Sequence, residues 1–203
     1  MKLFFAAASP YVRKVLVVAR ERGLDERITL VPAAASPVAR NPEVVAHNPS
    51  GKIPTLLLDD GTALYDSRVI AEYLDAIDGP RLFPAAGAAR WSALCLQSLA
   101  DEMTGAALLM RYETVLRPEQ LRWAEWTEGQ KAKVLSSVAQ LEETWLEALT
   151  GEITIGSIAA GCALGYLDFR FPTIGWRTGR DRLAAWYETF AVRPSMQATA
   201  PTA

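Results

Sequence analysis

The sequence predicts an α/β domain followed by an all-helical domain. In the first part, short apolar strands alternate with helical patterns and turn residues; after the segment GPRLFPAAGAA, only helical periods remain. A chain of 203 residues is long enough for two small domains with cores that need no disulfides. We therefore expect a first domain over residues 1–79 and a second over 88–203, with a linker near Gly79 to Gly87.

The first domain has the predicted order βαβαββα. KLFFA and RITLVP are typical of strands, with a helix between them from Ser9 to Gly23. A short helix begins at Pro42 and ends before the Asn48-Pro49 turn. TLLLDDGTALY then indicates a hairpin around its DDG turn. Asp66 or Ser67 begins the last helix, RVIAEYLDAI, which Gly79 and Pro80 close.

The first helix has clear end signals. Ser9 is a good N-cap, Pro10 suits the first helical position, and Gly23 is a typical terminator. Its periodicity predicts a buried face and a solvent face. The buried face comprises Val12, Val15, Leu16 and Ala19, and the solvent face comprises Arg13, Lys14, Arg20 and Glu21.

The second domain is expected to contain long helices over 88–116, 118–149, 154–171 and 180–192. The tail SMQATAPTA is expected to fray. Thr154 can cap its helix, but Ser157 replaces the acid usual three residues later, so the reciprocal bond of a capping box is expected to be weak or absent.

Composition excludes several classes of partner. With 21 basic and 23 acidic residues the net charge is −2. The chain therefore has no net positive charge to attract the phosphate backbone of a nucleic acid. The chain has no apolar run long enough to cross a membrane, and we expect a cytoplasmic protein. Cys95 and Cys162 fit neither a metal site nor a disulfide framework, so we expect buried reduced thiols and no metal.

Three polar turns stand at the ends of strands in the first domain: Ser9 after the first strand, SGKIPT before the third and YDSR after the fourth. The dipeptide Ile53-Pro54 is compatible with a cis or a trans bond; a cis bond would turn the Ile53 backbone outward, where a peptide can pair with it. Asp66 and Ser67 either cap a helix or bind an ammonium and a carboxylate group. Lys52 is either a solvated turn lysine or the partner of a second carboxylate.

Three stretches together resemble the bacterial cytosolic glutathione S-transferases of the serine type. They are ASPYVRKVLVVARERG, NPSGKIPTLLLDDGTALYDSRVIAEYLD and TIGSIAAGCALGYLDFR. The resemblance covers nearly the whole chain and is most specific where NPxGKIPxL is followed by LxDSxxIxxYL. It implies a thioredoxin-like N-terminal domain and an all-helical C-terminal domain.

The resemblance also implies residue roles. Ser9 would activate the glutathione thiol; the other expected glutathione contacts are Lys52, Ile53, Pro54, Asp66, Ser67 and Asp101. Asp101 would reach across a dimer interface, although an exposed helix acid is an alternative interpretation. His47 is either a further contact or, as we favour, a polar loop residue. Because Ser-Pro-Tyr-Val replaces the Cys-Pro-Tyr-Cys of glutaredoxin-like relatives, dithiol chemistry on the protein is excluded.

The implied function is a homodimeric glutathione transferase that conjugates the glutathione thiolate to small hydrophobic electrophiles in detoxification. Two alternatives remain at this stage. One is a non-catalytic interaction protein on the same fold, because a fold does not fix a function. The other is a glutathione-dependent peroxidase, disulfide reductase or isomerase that uses the same bound thiolate.

Overall fold

The computed structural model describes residues 1–202, which fall into two compact units. One unit comprises Met1–Ala85 together with the segment that begins at Pro194, and the other comprises Ala86–Arg193. The second domain expected over 88–203 includes this C-terminal segment. The structure differs there, because this segment packs on the first unit.

The first unit is built on a sheet with the strand order β2-β1-β3-β4. The strands are β1 (Lys2–Phe5), β2 (Thr29–Pro32), β3 (Thr55–Leu57) and β4 (Ala63–Leu64). β1 pairs parallel with β2 and antiparallel with β3, and β3 pairs antiparallel with β4. The predicted βαβαββα order is confirmed.

Helices cover the sheet of this unit. They are α1 (Pro10–Glu21), α2 (Pro42–His47) and α3 (Ser67–Ala76). Successive strand residues point to opposite faces, and Leu3 and Phe4 are both buried, so the sheet has apolar contacts on each side. Phe4 packs with Ala33 and with Val44 of α2, while α1 packs against α3.

The second unit is helical, as expected. It contains α4 (Gly87–Val115), α5 (Ala124–Glu143), α6 (Leu146–Thr150), α7 (Ile155–Arg170) and α8 (Asp181–Ala191). The single helix predicted over 118–149 is wrong at both ends. Glu113 Oε1 accepts the Trp123 N–H at 2.8 Å, which holds the chain before α5, and a break at Thr144 and Trp145 separates α5 from α6.

The helix α7 lies at the centre of the second unit, and every residue from Ile155 to Leu167 is buried. At its start, Ser157 Oγ accepts the Thr154 N–H at 2.9 Å and donates to the Thr154 carbonyl at 2.9 Å. The expectation of a weak or absent reciprocal bond is therefore wrong, because a serine hydroxyl reaches the N-cap as the usual acid does.

The C-terminal segment is ordered as a last short helix, α9 (Pro194–Gln197), which packs on α1. Met196 is completely buried, Ser195 Oγ donates to Glu21 Oε1 at 2.5 Å, and Arg13 Nη2 donates to the Met196 carbonyl at 3.1 Å. The prediction of a frayed tail is wrong for these residues.

Packing of this segment also changes the environment of α1. Arg13 is 6% exposed and Lys14 is 1% exposed, so their predicted solvent positions are wrong, whereas Arg20 is exposed as expected. For Arg13 the cause is the contact with α9, because a further segment packed on the helix buries a position that a two-sided pattern assigns to solvent.

Neither Cys95 nor Cys162 forms a disulfide. Cys162 is buried as expected, but Cys95 is exposed on α4. Across residues 1–202, no helix combines the length and the apolar character needed to cross a membrane.

Candidate functional site

The three polar turns singled out in the sequence meet at one end of the sheet. β1 and β3 are antiparallel with Phe4 opposite Thr55, so the turn after β1 lies beside the turn before β3. β3 and β4 are antiparallel with Leu56 opposite Leu64, so the turn after β4 joins the same end. Neighbouring strands are about 4.8 Å apart, and the segments holding Ser9, Ile53 and Asp66 therefore stand side by side.

Ser9 is the N-cap of α1, as predicted. Its Oγ accepts the Val12 N–H at 3.3 Å, a long bond, and the residue is half-buried. The cap uses the hydroxyl as an acceptor and leaves its proton available for donation. The first turn of α1 contains no acidic residue, so the helix dipole gives this position a partial positive charge.

Ile53 presents its backbone beside Ser9. The Ile53–Pro54 peptide bond is cis, which decides between the two alternatives left open by the sequence. The Ile53 side chain packs against the cluster of Phe4, Ala33 and Val44. Within residues 1–202, neither the N–H nor the C=O of Ile53 makes a hydrogen bond, so both are available to an extended peptide.

A buried asparagine shapes the turn before Ile53. Asn48 is 1% exposed; its Nδ2 donates to the Lys52 carbonyl at 3.1 Å and to Thr55 Oγ1 at 3.0 Å, while its Oδ1 accepts the Ser50 N–H at 3.0 Å. Gly51 has a positive φ of 66°, which glycine adopts without strain. From the sequence, Asn48 is expected only as part of the turn that ends α2, and no periodic signal marks a side chain that supports a turn.

Lys52 projects from this turn into solvent. Its carbonyl is held by Asn48 and by Thr55 Oγ1 at 2.9 Å, which fixes the backbone from which the side chain extends. In the described part of the chain, no acidic side chain forms an ion pair with its ammonium group. The ammonium is thus free to meet an external carboxylate.

Asp66 and Ser67 form the start of α3. Asp66 is the N-cap, and its Oδ1 accepts the Arg68 N–H at 2.9 Å. The Tyr65–Asp66 peptide bond is cis. Ser67 is 2% exposed, whereas Asp66 is exposed. The turn therefore places the Asp66 carboxylate, which suits a cation, beside the N-terminus of α3, which suits an anion.

The two remaining candidates lie elsewhere in the chain. Asp101 belongs to α4 of the second unit and is 6% exposed, so the alternative of an exposed helix acid is wrong. His47 is the last residue of α2; it is exposed, and its ring stacks on Phe4 with centroids 5.8 Å apart. The stacking gives His47 a packing role on α2.

Two family models match this chain. Residues 8–77 match the family model "Glutathione S-transferase, N-terminal domain", and residues 124–189 match "Glutathione S-transferase, C-terminal domain". This chain belongs to the glutathione S-transferase family. Its fold is the one that the resemblance implied, a sheet unit and a helical unit.

Similar structures of glutathione S-transferases carry ligands. A glutathione transferase family member from Pseudomonas fluorescens Pf-5, with bound glutathione, is 45% identical over 100% of this chain and 99% of that chain, with a TM-score of 0.97. A structure from the same organism with bound S-(propanoic acid)-glutathione is 45% identical, covers 100% of both chains and has a TM-score of 0.93.

A curated relative extends the comparison to Escherichia coli. The uncharacterized GST-like protein YibF of strain K12 is 30% identical over 205 residues, which cover 99% of this chain and 98% of that protein. In residues 1–202 of the present protein, no group of three or more histidine, cysteine, aspartate or glutamate side chains is placed to hold a metal ion.

Proposed function

We propose that this protein is a glutathione transferase that adds the thiolate of glutathione to small hydrophobic electrophiles. The observation that carries the proposal is the meeting of Ser9, the unpaired Ile53 backbone and the Asp66–Ser67 turn at one end of the sheet. Glutathione has a peptide middle, a terminal ammonium and two carboxylates, and this end of the sheet offers a partner for each. The bound glutathione in the Pseudomonas structure supports the same ligand.

Each contact has a proposed role. The Ile53 backbone pairs with the cysteinyl residue of glutathione beside Pro54. Asp66 holds the γ-glutamyl ammonium, and Ser67 with the N-terminus of α3 holds the adjacent carboxylate. Lys52 meets the glycine carboxylate.

Ser9 is proposed as the donor that stabilises the thiolate. A thiol with a pKa of about 8.5 is only a few per cent ionised at neutral pH. Lowering this pKa by about 2 requires about 2.7 kcal/mol. A hydrogen bond to a charged group contributes about 1.5–3 kcal/mol, and the N-terminus of α1 adds about 0.3–1 kcal/mol. Ser9 therefore need not act as a base.

The decisive experiment compares Ser9→Ala with Ser9→Thr. Both variants should fold, since losing a cap costs about 1 kcal/mol. Ser9→Ala should bind glutathione but raise the pKa of its bound thiol, measured by thiolate ultraviolet absorbance, and lose most turnover of an aryl halide. Ser9→Thr keeps a hydroxyl and should retain part of both properties. Ser98→Ala, at an exposed position of α4, is the control.

The outcome also separates the alternatives. Wild-type turnover in Ser9→Ala would remove Ser9 from the mechanism. Failure of the wild type to bind glutathione would contradict the proposal and favour an interaction protein. Turnover of a hydroperoxide or a mixed disulfide, with no product from aryl halides, would show that the bound thiolate serves a peroxidase or reductase instead of conjugation.

We also propose a cytoplasmic homodimer with a role in detoxification. Each unit exposes an apolar side chain that a partner could cover: Val69 is 48% exposed on α3 of the first unit, and Trp91 is 65% exposed on α4 of the second. In such a dimer, Asp101 would approach the γ-glutamyl ammonium of the partner. Sedimentation equilibrium should give twice the mass of the chain, and a monomer at all concentrations would contradict the proposal.

A further inference from the structure

A second polar feature of the first unit lies apart from the residues proposed to bind glutathione. Arg13 is 6% exposed, yet among residues 1–202 no acidic side chain forms an ion pair with it. Its Nη2 donates to the Met196 carbonyl at 3.1 Å, and its buried Nε has no hydrogen-bond partner. A buried cation with neither a counter-charge nor a full set of acceptors is costly.

Arg13 is one of the residues that line a cavity of about 150 Å³. The side chains around it are mainly apolar, and they come from β1, α1, β2 and the segment after α9; they include Phe5, Val12, Leu16 and Leu30. Thr199 also lines the cavity, but its hydroxyl already donates to the Ser195 carbonyl at 2.8 Å. Among the described residues that line the cavity, Arg13 is the charged one.

We infer that this cavity binds the carboxylate of a short aliphatic acid, with the carboxylate at Arg13 and the alkyl chain among the apolar side chains. A guanidinium matches the two oxygens of a carboxylate. Inorganic phosphate fits less well, because apolar walls would leave its remaining oxygens without donors. An apolar cavity of this volume accommodates roughly six heavy atoms, the size of benzene, and butyrate has the same number.

The inference does not depend on the transferase activity. Arg13 stands one helical turn after the N-cap Ser9, but Ser9, Ile53 and Asp66 are not among the residues that line the cavity. The competing interpretation is that Arg13 serves only to fasten α9 to α1 through the Met196 carbonyl. That role requires a hydrogen-bond donor but no anion, so charge and binding can be tested separately.

The first test titrates the full-length, isotopically labelled protein with butyrate and, separately, with butyramide, a neutral molecule of the same size. Butyrate should shift the backbone amide resonances of residues 5–7, 12–16 and 198–200 with saturation, and butyramide should bind about tenfold more weakly. Equal binding of the two compounds, or shifts confined to other regions, would overturn the inference.

Variants identify the contacts. Arg13→Gln keeps an amide donor for the Met196 carbonyl but removes the charge, and it should weaken butyrate binding by about tenfold. Arg20→Gln, at an exposed position of the same helix, should bind as the wild type does. Ala198→Leu, which narrows the cavity from an exposed position, should also weaken butyrate binding. Unchanged butyrate binding in Arg13→Gln would show that Arg13 only holds α9 on α1 through its hydrogen bond.

A last experiment tests whether butyrate binds instead at Lys52, the proposed partner of a glutathione carboxylate. Lys52→Met should leave butyrate binding unchanged, as should saturating glutathione. Loss of butyrate binding in Lys52→Met would place the acid at the proposed glutathione residues and overturn the inference. If Arg13→Gln fails to fold, the comparison of butyrate with butyramide and the Ala198→Leu variant still test whether this cavity binds butyrate.

Discussion

Arg22 and Asp75 form a buried ion pair that joins the end of α1 to the end of α3. Arg22 Nε lies 3.1 Å from Asp75 Oδ1, and the two side chains are 2% and 1% exposed. The same carboxylate accepts the N–H groups of Arg81, Leu82 and Phe83, the last at 2.9 Å. The segment after α3, expected from its sequence to be part of a linker, is thus fastened to the first unit.

Asp75→Asn should therefore destabilise the protein strongly. It removes the counter-charge of a buried arginine, a change that typically costs about 3–5 kcal/mol. Urea unfolding followed by circular dichroism gives the free energy of unfolding. Asp78→Asn, at an exposed position one turn later, should change it by less than about 0.5 kcal/mol. Equal effects of the two substitutions would show that the ion pair contributes little.

The order of elements in the first unit follows from local signals that the sequence displays. Ser9, Pro10 and Gly23 fix the ends of α1, and the DDG turn fixes the β3–β4 hairpin. The candidate glutathione turns were recognised for the same reason, because each is a strand end marked by polar or cis-compatible residues. Local chemistry of this kind does not depend on distant parts of the chain.

What the sequence did not reveal depends on contacts between distant residues. Asp75 acts on backbone groups six to eight positions later, and Glu113 accepts from Trp123 ten positions later. Arg13 is buried because a segment 183 positions away packs on it. Helical periodicity reports which face of a helix is apolar; it does not report that a second segment will cover the other face.

Glu113 should make stability depend on pH. The Trp123 N–H and, next, the Arg117 side chain hold the pKa of its carboxyl below the ordinary value of 4.5. A lowered folded-state pKa contributes stability that is fully present above the unfolded-state pKa and is lost as the pH falls through the folded-state pKa. Glu113→Gln should therefore be less stable than the wild type at pH 7, and the difference should shrink below about pH 4.5.

Urea midpoints measured across this pH range check the expectation. Glu119→Gln, at an exposed position in the same connection between α4 and α5, is the matched control. Its urea midpoints should change with pH as those of the wild type do. A Glu113→Gln curve that stays parallel to the wild type down to pH 3 would contradict a role for this carboxylate in acid sensitivity.

Lys52 provides a test of glutathione binding that leaves the chemistry of the thiol untouched. Lys52→Met should weaken glutathione binding by about fivefold, as expected for one solvent-exposed ion pair, with kcat nearly unchanged. Binding by the wild type should weaken as salt is added, and this salt dependence should be smaller in the variant. Calorimetric titration at two salt concentrations measures both effects.

The control for this prediction is Lys133→Met, which removes an exposed lysine from α5. It should leave glutathione affinity unchanged at each salt concentration. Loss of kcat in Lys52→Met with no change in affinity would exclude Lys52 as the partner of a glutathione carboxylate.

Two helical glycines should respond to alanine in opposite directions. At Gly156 in α7, an added Cβ would lie 2.9 Å from the Ala93 carbonyl oxygen and 2.9 Å from Leu96 Cβ on α4, closer than packed atoms allow. Gly156→Ala must push the two helices apart and should cost about 1–3 kcal/mol. At Gly129 in α5, no atom lies within 4 Å of the added Cβ.

Gly129→Ala should accordingly stabilise the protein by about 0.5–1 kcal/mol, because alanine loses less backbone entropy than glycine on entering a helix. The same substitution at two helical sites makes each variant the control for the other, and thermal unfolding of both gives the comparison directly. Stabilisation by alanine at both sites would mean that α4 and α7 can separate at little cost, whereas opposite signs follow from close packing of Gly156 on Ala93 and Leu96.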